Sequence, residues 1–163
     1  MKLTFQTERW AAIAEEIRPL LLANWKETAL DHEKIALDPD FDSYATRDLD
    51  GFLHVTTARA EDWEIGEGTP TEKRPLVGYF IAMVAPHPHY QTVLFCFMDV
   101  YFLAEQYRIG SNGLQLFLAV EKAMRHRGVS EIIANTKVKH DISPVFERLG
   151  WRRTAITYTK LLE

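Results

Sequence analysis

Two strand-like runs joined by a short connection constrain this chain more than any other feature. Leu76–Val84 and Thr92–Phe102 are dense in apolar and β-branched residues, and Ala85-Pro86-His87-Pro88-His89-Tyr90 between them reads as a hairpin connection. The second run is apolar at nearly every position, which predicts burial on both faces in the centre of a sheet. After it the period changes. Leu116, Val120, Ala123 and Met124 fall on one helical stripe, and Gly128 closes that helix behind Arg125, His126 and Arg127.

The remaining elements follow from spacing and punctuation. The first thirty residues read as helix: Thr7 caps, Glu8 lies in the first turn, and Ile13, Ile17, Leu20 and Leu21 recur at helical spacing. Pro19 is expected to kink or divide that helix, with a second short one around Trp25–Leu30. Asp38–Asp50 is acidic, aperiodic and punctuated by Pro39 and Gly51, so it reads as a loop. Phe52–Ala58 reads as a strand and Glu61–Pro75 as a loop or hairpin turn. Ile132–Ala134 reads as a short buried strand, Ser143–Leu149 as a helix stopped by Gly150, and Arg153–Leu161 as a final strand. The sum is one α/β domain over residues 1–163, built around a mixed sheet.

Composition sets limits on function. At 163 residues the chain buries a core without a metal or disulfide staple. Apolar residues at 47% and charged residues at 26% exclude a disordered, collagen-like or coiled-coil chain. The balance of 19 Lys+Arg against 23 Asp+Glu, net −4, argues against nucleic acid as a partner. The lone Cys96, inside the apolar run Leu94–Phe97, reads as a buried, inert thiol. With no signal peptide evident, it suits the reducing cytoplasm. The longest apolar stretch, Thr92–Leu103, holds Asp99 and is too short to span a bilayer, so no membrane partner is expected.

The most informative junction joins the second apolar run to the long helix: Tyr107-Arg108-Ile109-Gly110-Ser111-Asn112-Gly113-Leu114. Small residues at 110, 111 and 113 let a ligand approach the backbone closely. Ser111 or Asn112 serves as N-cap, and the free N–H groups and positive end of the helix make an anion site beside Arg108. A pyrophosphate fits such a site. A plain turn that uses glycines to open a helix fits the loop equally well. A Walker A loop is excluded because Leu114-Gln115 follows Gly113, and the Gly-x-Gly-x-x-Gly dinucleotide fingerprint is absent.

From Asp99 through Arg108, the turn and the amphipathic helix, the stretch resembles the acetyl-CoA signature of the GNAT N-acetyltransferases, Gln/Arg-x-x-Gly-x-Gly/Ala. Arg108 takes the first position and Gly113 the last, while Ser111 stands where the first glycine belongs. Val145-Phe146-Glu147-Arg148-Leu149-Gly150-Trp151 is similar to the family's Leu-Tyr-Glu-Lys-Leu-Gly-Phe ending. Lys137–Pro144 is similar to GNAT proteins carried by tailed bacteriophages. The resemblance covers roughly Leu76 to Glu163. It implies a mostly antiparallel central sheet flanked by helices, with a bulge in the fourth strand that splays it from the fifth. It also implies acetyl-CoA as cofactor. Phe102 and Leu103 would offer backbone contacts to pantetheine, and the N–H groups of Ile109, Gly110, Ser111, Asn112, Gly113 and Leu114 would hold the pyrophosphate. Asn135 would reach the pantetheine or the cysteamine end, and Phe146 would line the same site.

Acetyl transfer needs a neutral amine, a polarised carbonyl and, in some enzymes, an acid for the leaving thiolate. The family's usual acid is a tyrosine at the position of Phe146, which has no proton to give. Asp99 is the candidate base, an acid in an apolar strand whose burial is expected to raise its pKa. A strand-end carboxylate paired with an arginine or a backbone group is the alternative. By alternation Tyr101 shares the face of Asp99, placed to orient substrate or donate a proton, or simply to pack. His87 and His89 are expected at the rim of the acceptor site. They lack a third ligand, so no metal is expected. His54 and His140 carry no signal. Asp38–Asp50 falls where the family builds its acceptor wall, although a solvated charged loop accounts for it as well. The implied activity is acetyl transfer from acetyl-CoA to a primary amine by direct attack. A CoA-binding module that acts on a host protein is the alternative, and a homodimer is compatible with both.

Overall fold

The computed structural model describes residues 2–31, 33–61 and 74–162. Five strands form one sheet in the order β1 (Leu3–Thr7), β2 (Leu53–Ala60), β3 (Leu76–His87), β4 (Tyr90–Leu103) and β5 (Val129–Ile133). The first four are successive antiparallel neighbours. β5 runs parallel to β4, which requires the crossover supplied by α3 (Asn112–His126). α1 (Trp10–Thr28) and α2 (Phe41–Leu49) pack on one face, and α3 and α4 (Ser143–Arg148) on the other.

β3 feeds both cores because successive side chains leave a strand on opposite faces. Tyr79 and Ile81 meet Trp10, Ile13, Ile17 and Leu21, one stripe of α1. Phe80 and Ala82 meet Leu116, Phe117, Val120 and Met124 of α3. Each large apolar side chain so buried contributes about 1.5–3 kcal/mol. β2 and most of β3 are therefore the strands buried on both faces, not β4, whose Asp99 is exposed. Cys96 is fully buried, as expected, and burial pushes its thiol up to about 12.

Several expectations are corrected. Residues 3–7 form a strand instead of helix, because Leu3 packs against Ala58, Ala60 and Val77; the helix starts at Trp10, beyond Thr7. Pro19 does not divide α1, which continues through the expected second helix to Thr28. Pro19 lies on the exposed face, where the carbonyl it leaves without a donor can bond water. Most of Asp38–Asp50 is the helix α2. The Asp40 side chain accepts the Ser43 N–H at 2.8 Å, Asp42 lies in the first turn and Arg47 in the last. β5 is an edge strand with exposed and half-buried side chains, not a buried one. Arg153–Leu161 is not a strand: residues 152–162 pair with no other strand among those described. Of the expected turn Glu61–Pro75, residues 62–73 lie outside the described residues. No helix among the described residues is long and apolar enough to cross a membrane.

Candidate functional site

The hairpin of β3 and β4 changes register twice, near its tip between Pro86 and His87 and, deeper in the sheet, at a single residue. Ile81 pairs with Val100 but Ala82 with Met98, so Asp99 is the extra residue of a β-bulge. The insertion reverses the alternation of side chains. Cys96 and Met98 pack on the α3 side before it; after it Tyr101 does, while Val100 and Phe102 pack with α1. Asp99 and Tyr101 therefore do not share a face. Asp99 accepts a hydrogen bond from the Tyr44 hydroxyl of α2, whereas Tyr101 packs edge-on against Phe117, ring centroids 5.6 Å apart. The bulge also turns Asp99 outward, so it is exposed and not buried as expected. Tyr44 is held by stacking on Trp10 at 4.6 Å, and burial together with Asp99 keeps its hydroxyl protonated.

β5 follows β4 only from Leu94 to Phe97. Beyond the bulge, Tyr101-Phe102-Leu103 forms one wall of a gap that no strand fills among the described residues. The start of α3 faces this end of β4. Gly110, at φ +57, turns the chain from a 3-10 turn at Glu105–Tyr107 toward the helix. Ser111 precedes the helix without a side-chain cap. The Asn112 side chain donates back to the Tyr107 carbonyl at 3.1 Å. Gln115 N–H reaches Ser111 O at 2.8 Å, but Gly113 and Leu114 N–H find no acceptor among the described residues. A Cβ at Gly110 or Gly113 would meet no atom within 4 Å, so the backbone is open to a ligand there. Free donors, a helix dipole and open approach fit a pyrophosphate.

Arg108 does not stand free beside this cradle as expected. Its guanidinium pairs with both oxygens of Glu27, from the last turn of α1, and its Nε donates to Leu103 O at 2.6 Å. The hydrogen bonds of this pair hold the Glu27 carboxyl below its ordinary range and the guanidinium above. His140, before α4, joins the pair: its Nδ1 lies 3.2 Å from Glu27 Oε1 and its Nε2 3.2 Å from the Glu27 carbonyl. The end of α1, the β4–α3 turn and the β5–α4 loop are thus tied together. Tyr44, Glu27 and His140 carry no local sequence signal, since 55, 81 and 113 residues separate them from these partners.

The other expected residues are placed as follows. Burial pushes the Tyr101 hydroxyl up to about 12, so it is protonated at neutral pH. Asn135 is exposed just beyond the end of β5. Phe146 stacks on Trp151 with centroids 4.9 Å apart and meets the edge of Phe117 at 5.1 Å, which makes it part of the α3–α4 packing. Ile109 is exposed beside the cradle, and Phe102 and Leu103 turn buried side chains away from the gap's open space.

No family profile matches the chain, and no curated protein is significantly similar to it in sequence. Solved structures are similar over nearly its whole length. A ribosomal-protein-alanine N-acetyltransferase from Brucella melitensis biovar Abortus 2308 is 16% identical, with 99% of this chain and 100% of that one covered at a TM-score of 0.68. An aminoglycoside acetyltransferase from an uncultured soil metagenomic sample, in complex with sisomicin, is 13% identical, with 99% and 97% covered at 0.69. The aminoglycoside N-acetyltransferase AAC(6')-Iy, in complex with CoA, is 18% identical, with 98% and 95% covered at 0.64. The chain has the GNAT fold. In this GNAT fold the bulge and the uncapped helix start come from opposite ends of one short segment, residues 99–114; a local reading of the sequence places Asp99 in a regular strand and a cap at Ser111 or Asn112, and only the family resemblance implies a bulge in this strand.

Two further features of the chain lie elsewhere. His87 and His89 flank the tip of the β3–β4 hairpin, rings 5.2 Å apart. The strand from Tyr90 to Asp99 spans about 30 Å at ~3.3 Å per residue, which removes the histidines from the rim expected for them. Among the described residues no cluster of three His, Cys, Asp or Glu is placed to hold a metal. A cleft of about 560 Å³, lined by Leu53, His54, Lys122, His126 and Arg127 among others, opens between β1–β2 and α3; no residue of the bulge or cradle lines it.

Proposed function

We propose that this GNAT-fold chain is an acetyl-CoA-dependent N-acetyltransferase that moves acetyl to a primary amine by direct attack in a ternary complex. The observation that carries the reading is the Asp99 bulge, which frees the wall Tyr101-Phe102-Leu103 from β5 and leads directly into the open, uncapped start of α3. The residues present fit the cofactor. N–H groups between Ile109 and Leu114 would hold its pyrophosphate, those of Gly113 and Leu114 first since the Asn112 N–H already donates to Ile109 O, with Gly110 and Gly113 admitting it. The backbone of Phe102 and Leu103 would line the pantetheine, with Asn135 opposite and Phe146 beneath. Arg108 would act through the contacts it makes, fixing the Leu103 carbonyl and the end of α1. Acetyl-CoA supplies the acetyl group as a reactive thioester.

Asp99, oriented by Tyr44, would accept the proton of an incoming ammonium. Tyr101 would donate from the β4 wall, since its hydroxyl keeps its proton at neutral pH and Phe146 has none to give. The solved neighbours are named for a ribosomal-protein alanine and for aminoglycosides, which have an amine in common. The reaction is assigned to the cytoplasm, that of a host if the chain is phage-borne, with neither nucleic acid nor membrane taking part. Phe146 favours a second reading, a protein that binds CoA without turnover and acts by engaging a host protein. Calorimetric titration with acetyl-CoA, followed by thiol release with a panel of amines, separates the two. One-to-one binding with thiol release supports the enzyme, and binding with no release on any amine supports the second reading. Absence of binding to folded protein overturns both.

A further inference from the structure

The cleft between β1–β2 and α3 has a floor that packing alone does not explain. Phe80 and Ala82 of β3 pack against α3, and their partners across the sheet, Thr56 and His54, leave β2 on the same side. Both are buried, His54 at 2% and Thr56 at 1% exposure, beside a core built from apolar side chains. Polar groups in such a place are costly unless their hydrogen bonds are made. His54 Nε2 lies 2.8 Å from Thr56 Oγ1. His54 Nδ1 forms no hydrogen bond among the described residues, where every side-chain N or O sealed from solvent has a partner; this nitrogen therefore opens on the cleft that His54 lines. α3 leaves the room above it, because the residues it presents there, Ala119 and Ala123, are small and one turn apart.

The walls carry positive charge. Arg127 donates to Leu53 O at 3.0 Å and to Gly51 O at 2.5 Å, so its guanidinium is fixed by carbonyls and meets no carboxylate among the described residues. Lys122, exposed on α3, likewise pairs with none among them. The two acids that line the cleft are already engaged: Glu8 accepts from Arg59 and Asp48 from Arg9. On a chain of net charge −4, such a cationic wall selects an anion. Phe5 and the two alanines supply an apolar side, and about 560 Å³ is the size of a small-molecule site. The His54 ring is neutral, since burial lowers its pKa to about 4. Its Nδ1 then offers either a proton or a lone pair, and a hydroxyl can answer both. We propose that this cleft is a second binding site, for a small organic anion with a hydroxyl on an apolar body: Lys122 and Arg127 take the anionic group, Phe5, Ala119 and Ala123 the body, and His54 Nδ1 the hydroxyl. This goes beyond the acetyl-transfer reading and does not depend on it, because no residue of the bulge or cradle lines the cleft.

The test titrates the full, isotope-labelled chain at neutral pH with para-hydroxybenzoate, followed by nuclear magnetic resonance. Two controls each lack one group: para-hydroxybenzyl alcohol has no charge, and benzoate has no hydroxyl. Saturable amide shifts should centre on the cleft residues of β1, β2 and the second half of α3, and the ring nitrogens of His54 should shift with them. The alcohol, benzoate, and para-hydroxybenzoate on Lys122→Gln should each bind about tenfold more weakly, the effect of losing one charged or polar partner. Lys122 is exposed, so the variant keeps the fold, which an unchanged circular dichroism spectrum checks. Absence of saturable shifts overturns the proposal, as do shifts centred on residues 109–114. Undiminished affinity for either control, or in the Lys122 variant, overturns it too.

Discussion

Lowering the pH from 7 to 5 should cost this fold about 2 kcal/mol through one side chain. His54 lies in β2 at 2% exposure, its Nε2 2.8 Å from Thr56 Oγ1. Burial, and then the charge of Arg127, lower its pKa from 6.5 to about 4. The folded state thus holds a neutral ring, and the unfolded chain takes up the proton first. The stabilisation is complete above pH 6.5 and is lost as pH falls toward 4. At pH 5 protonation favours the unfolded chain by a factor of roughly 30, which is the ~2 kcal/mol stated, and the midpoint of thermal unfolding should drop by roughly 4–8 °C. Glu8, whose carboxyl is lowered to about 2 against its desolvation by hydrogen bonds from Arg59 and Thr57, acts below pH 4.5 and outside this window. Urea unfolding at both pH values, on the parent and on His54→Gln, is the assay. The variant should lose far less stability on acidification. An equal loss in both proteins would refute the assignment to His54.

The site yields further expectations. Gly113→Val should reduce acetyl-CoA affinity at least ~100-fold by calorimetry while leaving the melting temperature unchanged, since a Cβ there meets only the space assigned to the ligand. Unchanged affinity would contradict the cradle. Gly78→Ala should destabilise by about 1–3 kcal/mol in urea, because its Cβ would lie 2.7 Å from Leu103 Cδ1 and 2.8 Å from the Phe102 carbonyl. Asp99→Asn should lower kcat about 10²- to 10⁴-fold in the thiol-release assay with the affinity for acetyl-CoA preserved; a variant as active as the parent would remove Asp99 from the chemistry.

What could be read from the sequence divides along the range of the interactions concerned. The glycine turn and the helix after it were legible because Gly110, Gly113 and the stripe of α3 are near neighbours in the chain. The β3–β4 hairpin was legible for the same reason. Helix α2 was missed although its signals are present: Asp40 caps it, and Phe41, Tyr44 and Ala45 are spaced to cover α1. Five aspartates masked that short pattern. β1 was missed because a five-residue edge strand is specified by its pairing with β2, about 50 residues away. The contrast at Arg153–Leu161 is the reverse, a strand-forming sequence that pairs with no strand among the described residues. The Glu27–Arg108–His140 tie depends on three distant segments and has no local signature at all.

The extra residue at 99 also sets how β4 communicates with the two sides of the sheet. Even-numbered side chains address the α3 core up to Met98, and an odd-numbered one, Tyr101, does so afterwards. The strand is therefore written in two reading phases with Asp99 as the frame shift between them. Deleting that single residue would leave every other amino acid unchanged, yet it would send Val100 and Phe102 toward α3 and Tyr101 toward α1. The same deletion would bring the far half of β4 back into step and remove the feature on which the proposed cofactor site rests. A one-residue slip in the polarity pattern of an apolar strand is thus a mark by which such a site could be sought in chains too divergent to align.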